Sequence, residues 1–85
     1  MREKTAAIVV NYNDSETTVA QLRRIRDYAA LDAVIVVDNA STDHSLEALR
    51  AEEGGKVTVL AAEKNGGYGA GNNLGIRYAA ARGYT

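Results

Sequence analysis

Two stretches of this 85-residue chain constrain its fold more than anything else in it. Ala6-Ala7-Ile8-Val9-Val10 and Ala33-Val34-Ile35-Val36-Val37 are apolar without interruption and rich in β-branched residues. A strand with one wet face alternates apolar and polar side chains. One that does not alternate is covered on both faces, as in a parallel sheet layered between helices. The strands read as Thr5–Asn11 and Ala33–Asp38, with a third at Lys56–Ala61. Helical patterns separate them. The first opens near Asp14 or Ser15, either a good N-cap, with Glu16 in its first turn and Val19, Leu22, Ile25 and Tyr28/Ala29 on one face. The second runs from about Asp43 to Glu53, buries Leu46 and Leu49, and stops at Gly54-Gly55. The third runs from about Gly69 to Arg82 with Leu74, Tyr78 and Ala81 on one stripe, and Gly83 closes it. The order is βαβαβα, which predicts a three-layer, parallel-sheet, Rossmann-like half of a doubly wound domain. Tyr84-Thr85 reads as the start of a further strand, so the chain is expected to be cut short and to leave sheet edges unpaired.

In an open parallel sheet, ligands bind outside the carboxyl ends of the strands. Polar residues gather there. Asn11, Tyr12, Asn13 and Asp14 follow the first strand; Asp38, Asn39, Ser41, Thr42 and Asp43 follow the second; Asn65 and a run of glycines follow the third. Turns and caps explain any one cluster, but three clusters at three strand ends form a shared rim. Asp38 ends a β-branched strand, which makes its carboxylate a candidate acceptor for base or ribose donors. Five of the eight glycines fall between Asn65 and Gly75, at the opening of the third helix. Unpaired N–H groups and the helix dipole favour a phosphate at such a place. The dinucleotide fingerprint does not fit: after Gly69 and Gly71 the third position is Leu74, and the run follows the third strand rather than the first.

Composition removes other classes. A net charge of −1 argues against a general nucleic-acid binder, and Arg23, Arg24 and Arg26 read as a solvated helix face. The absence of cysteine excludes disulfide and thiolate sites. No apolar run approaches the ~18 residues of a membrane span, and no signal-peptide pattern precedes the first strand, so a cytoplasmic location is expected. His44 has no partner histidine or cysteine in sequence, and Glu47 is spaced for a surface pair with Arg50.

Three segments together resemble the N-terminal part of family-two inverting nucleotide-sugar glycosyltransferases, rhamnosyltransferase-like members in particular. They are Ile8-Val9-Val10-Asn11-Tyr12-Asn13, Val34-Ile35-Val36-Val37-Asp38-Asn39-Ala40-Ser41-Thr42-Asp43-His44-Ser45 and Asn65-Gly66-Gly67-Tyr68-Gly69-Ala70-Gly71-Asn72-Asn73-Leu74-Gly75-Ile76. The resemblance implies the first half of a glycosyltransferase-A fold, which holds the nucleotide of a nucleotide-diphospho-sugar. Val10 and Tyr12 would flank base and ribose, and Asp38 would accept from the base. Asn13, Asn65, Gly67, Tyr68 and Asn72 would complete the site, with the 66–72 segment acting as a loop through its shape and backbone. The family's divalent metal, Mg²⁺ or Mn²⁺, is held by an Asp-x-Asp motif after a fourth strand. That motif and the catalytic base are absent from this sequence, so no catalytic or metal-binding residue is assigned. The implied partners are a nucleotide-diphospho-sugar donor and a sugar or glycolipid acceptor, not nucleic acid. The 85 residues are expected to be inactive alone, to pair as homodimers through exposed sheet edges, and to belong to a parent that is cytoplasmic or peripheral to a membrane. The rival readings are a non-catalytic nucleotide-binding module and a self-assembling unit.

Overall fold

A computed structural model of the chain describes residues 4–64 and 66–84. Its elements alternate as β1 (Ala6–Asn11), α1 (Ser15–Ile25), β2 (Ala33–Asp38), α2 (Ser45–Arg50), β3 (Val57–Ala61) and α3 (Gly67–Ala81). The three strands form one parallel sheet in the order β1-β2-β3, with Ala6 opposite Ala33 and Asn11 opposite Asp38, and Val34 opposite Val57. All six residues of β2 are buried, as their unbroken apolar run requires of a central strand. The three-layer βαβαβα architecture read from the sequence is the one observed.

The two faces of the sheet are covered differently. Leu22 of α1 and Leu49 of α2, both 0% exposed, pack with Val9, Val34, Val36, Val57 and Val59. Each leucine buried in this way stabilises by about 1.5–3 kcal/mol. On the other face α3 meets Ile35 and Val37 through Ala79 and the partly buried Tyr78. Here the predicted stripe is corrected. Leu74 is 36% exposed and Ala81 is exposed, whereas Gly71, Gly75 and Ala79 face inward. A Cβ on Gly75 would stand 2.6 Å from Ile8 Cγ2 and 3.2 Å from Val37 Cγ2; one on Gly71 would stand 3.0 Å from Val10 Cγ1. Small residues four apart let the helix backbone rest on the strand side chains, so this face is marked by missing bulk rather than by apolar bulk.

Other boundaries also move. α1 ends at Ile25, and Tyr28 (52% exposed) and Ala29 lie outside it, because the chain turns under Lys56. The Lys56 ammonium donates at 2.8 Å to the carbonyls of Tyr28 and Leu31. α2 spans only Ser45–Arg50; Gly54 and Gly55, both at positive φ, turn the chain into β3. The arginine cluster on α1 is not simply solvated, since Arg23 (3.0 Å) and Arg26 (3.3 Å) both bond Glu52 and tie the end of α1 to the chain after α2. Nor does Glu47 pair with Arg50. Glu47 lies 3.8 Å from His44, and Arg50 pairs with Glu53 at 3.4 Å. Arg50 also donates to the Val59 carbonyl at 2.8 Å, and the Val59 N–H donates to Glu53 at 2.9 Å. These two side chains close one position of β3 that would otherwise present unpaired backbone groups.

Candidate functional site

The carboxyl edge of the sheet carries a continuous hydrogen-bond network. Asn11 and Asp38, neighbours across the β1–β2 register, are 1% and 2% exposed. Asn11 Nδ2 donates to Asp38 Oδ1 (3.0 Å) and to Ser41 Oγ (3.4 Å), and its Oδ1 accepts from Thr18 Oγ1 of α1 (2.6 Å). Ser41 closes the turn after β2, donating its hydroxyl to Asp38 Oδ1 (2.6 Å) and its backbone N–H to Asp38 Oδ2 (3.1 Å). Buried polar groups need such partners, because each one left unpaired costs about 1–3 kcal/mol.

The two loops are joined a second time through Asn13. Its backbone N–H donates to Ser41 Oγ (3.0 Å), its Nδ2 donates to Thr42 Oγ1 (3.1 Å), and its Oδ1 accepts from the N–H groups of Thr42 (2.8 Å) and Asp43 (3.3 Å). Asn13 has φ +50°, which asparagine tolerates, and Ala40 has φ +58°, which alanine rarely adopts. Ala40 is held there between Asp38 and Ser41, so the turn stores backbone strain beside the site. Asp43, at the far end of the loop, has its carboxyl held below the ordinary carboxylate range by Ser45, whose backbone N–H donates to it at 2.8 Å.

The start of α3 forms the third wall. Asn39 Nδ2 donates to the Gly67 carbonyl at 3.1 Å, and Asn39 also lies beside Gly71. The segment expected to be a nucleotide-bordering loop is helical from Gly67 onward. That is a correction with a plain cause: the glycines at 71 and 75 are needed for close contact with Val10, Ile8 and Val37. The opening of the helix at Gly67 rather than Gly69 brings its first turn to the rim.

The anticipated residues therefore fall as follows. Tyr12 is 39% exposed at the end of β1, Val10 is half-buried beneath Gly71, and Asn72 is exposed on α3. Asp38 stands at the centre of the network but is buried, with both carboxylate oxygens accepting from within the chain. Asn13 spends its side chain on the neighbouring loop. Asn65 and the side chain of Tyr68 lie outside the described residues. Sequence reading assigned no role to Asn11, Thr18 or Ser41, the residues that brace Asp38. Position in a strand-end cluster was the available signal for Asn11 and Ser41; Thr18, one turn inside α1, offered none.

Topology adds its own indication. The chain steps outward from β1 to β3, then returns along α3 until Tyr84 makes a parallel bridge to Lys4 at the start of β1. Open parallel sheets bind ligands where the direction of progression reverses in this way. The sequence, compared with known proteins, matches the family model described as glycosyl transferase family 2 over residues 6–84. The chain belongs to glycosyl transferase family 2. A search of curated proteins found no match. Membership makes the rim the candidate functional edge of this family member. Among the described residues no group of three or more His, Cys, Asp or Glu side chains is placed to hold a metal ion. Among the same residues no helix is long and apolar enough to cross a membrane.

Proposed function

We propose that the carboxyl edge of this sheet binds the nucleotide of a nucleotide-diphospho-sugar, and that the protein transfers the sugar to an acceptor hydroxyl with inversion, in the manner of the rhamnosyltransferase-like members it resembles. The observation that carries this reading is the joining of the ends of β1 and β2 and the first turn of α3 into one hydrogen-bonded edge, in a chain belonging to a glycosyltransferase family. Tyr12 offers an exposed aromatic ring for base or ribose, and Val10, two residues earlier, lies against Gly71. Asp38 is an acceptor for a base N–H through Oδ2, the oxygen that accepts one bond, from the Ser41 N–H, among the described residues. Gly67 and Asn72 border the nucleotide from α3. Asn13 keeps the walls of the first two loops in register.

Transfer with inversion needs a base to take the acceptor proton as its oxygen attacks the anomeric carbon, and charge stabilisation at the departing diphosphate. A divalent metal would supply the latter when bound. We assign neither role to a residue of the rim, so the part derived for this chain is binding and orientation of the donor. Titration calorimetry with UDP, dTDP and GDP, with and without Mn²⁺, tests the reading. Binding of at least one nucleotide is expected, weakened about tenfold or more by Tyr12→Ala, a surface change that leaves the core intact. Failure of all three to bind would overturn it.

A further inference from the structure

We propose that Ser41, rather than a residue touching the ligand, sets the geometry of this edge: it is a positioning residue that fixes the Asp38 carboxylate against the Tyr12–Asn13 backbone. A hydroxyl has one proton and two lone pairs, and at Ser41 all three have partners. Two of those partners, the Asn13 N–H (3.0 Å) and Asn11 Nδ2 (3.4 Å), are donors, so they take the lone pairs. The proton is left for Asp38 Oδ1 at 2.6 Å, and the rotor has a single orientation. The backbone N–H of Ser41 meanwhile donates to Asp38 Oδ2 at 3.1 Å, so this residue holds both oxygens of the carboxylate. Asp38 and Ser41 are three residues apart around the strained Ala40, and no part of the Asp38 side chain is free to swing while both bonds stand.

The exposed side of the hydroxyl's work is at Asn13. That residue is exposed, so loss of its acceptor costs little stability; water can replace it. What water cannot replace is the fixed spacing between the Asp38 carboxylate and the chain that carries Tyr12. The proposal rests on the nucleotide reading of the edge for its effect on binding, and on geometry alone for its effect on the free protein.

The test uses the full chain in three forms: unsubstituted, Ser41→Ala and Ser41→Thr, the last retaining the hydroxyl. Amide hydrogen exchange by ¹⁵N NMR reads the free protein, calorimetry with UDP reads binding, and thermal melting reads the fold. In Ser41→Ala the Asn13 amide should exchange about tenfold faster and UDP should bind roughly tenfold more weakly, while the melting temperature falls by roughly 5–15 °C with the transition still cooperative, because the buried Asp38 carboxylate loses its hydroxyl donor. Ser41→Thr should restore both. Unchanged exchange at Asn13 would overturn the proposed geometry. Unchanged UDP affinity in Ser41→Ala, with the unsubstituted chain binding UDP, would overturn the positioning role while leaving the nucleotide reading in place. Absence of UDP binding by the unsubstituted chain would overturn the role in UDP binding, and absence of dTDP and GDP binding as well would overturn the nucleotide reading with it.

Discussion

One face of the sheet is packed by side chains from its helices and the other by their absence. Leu22 and Leu49 reach down from α1 and α2 into a valine floor. On the opposite face Ile8, Val10 and Val37 reach up, and α3 receives them at Gly71 and Gly75. Both arrangements exclude water, but they place the information in different chains of residues. In the first the helix carries the knob; in the second the strand does, and the helix need only leave room. A substitution that removes bulk should therefore damage the first face, and one that adds bulk should damage the second.

The largest effect is expected at Leu22. Leu22→Ala opens a cavity in the α1/α2 layer and should cost about 2–5 kcal/mol, comparable with the whole stability of a domain of this size; urea unfolding should show the midpoint collapsing. A midpoint shift below that of a surface alanine substitution would break the contrast. Next comes a pair within α3. Gly75→Ala drives a methyl to 2.6 Å from Ile8 Cγ2, an overpacking cost of about 1–3 kcal/mol that outweighs a gain in helix propensity of up to ~1 kcal/mol. Gly69→Ala meets nothing within 4 Å and should be stabilising by about 0.5–1 kcal/mol. The same chemical change six residues apart should have opposite signs in melting experiments. Adding Ile8→Ala to Gly75→Ala should cost less than the two separately, which a double-mutant cycle would register.

The smallest effect separates the layers by pH. Glu52 has its carboxyl held below the usual range by the hydrogen bond from Arg23 and by the charges of Arg23 and Arg26. A carboxyl lowered on folding contributes stability that is present above its ordinary value, near pH 4.3, and is lost as pH falls through the lower folded value. Acid should therefore loosen the α1/α2 layer, where Arg23 and Arg26 meet Glu52, and Glu52→Gln should flatten that part of the acid limb. An identical acid limb in the variant would show that the pair contributes nothing.

The same contrast explains what was legible in the sequence. Unbroken apolar runs gave β1 and β2 to within a residue, and the periodic leucines marked the faces of α1 and α2, because burial by bulk leaves a positive trace. The face of α3 left a negative one. Apolar periodicity pointed to Leu74, Tyr78 and Ala81, and the glycines were read as a ligand loop, since a glycine that makes room for a neighbour looks like one that makes room for a phosphate. At the rim, residue type and strand-end position pointed to Tyr12, Asn13 and Asp38 as neighbours on one edge. They could not show that Asp38 is buried, or that Asn13 and Ser41 bond each other's loops, because those contacts join residues 27 to 30 apart in the chain.

The fit of α3 on β1 has a metrical side. Val10 meets Gly71 and Ile8 meets Gly75, while Ala6 and Ala79 line one groove farther along. Two residues of strand advance ~6.6 Å and four residues of helix ~6 Å, so the two scales nearly coincide and run in opposite directions. The helix is thereby indexed on the strand like a vernier: it can seat at whole-turn steps, and any intermediate setting brings a side chain against a methyl. The distance from the first turn of α3 to the ends of β1 and β2 is thus a discrete quantity, fixed by two positions at which a carbon atom is missing.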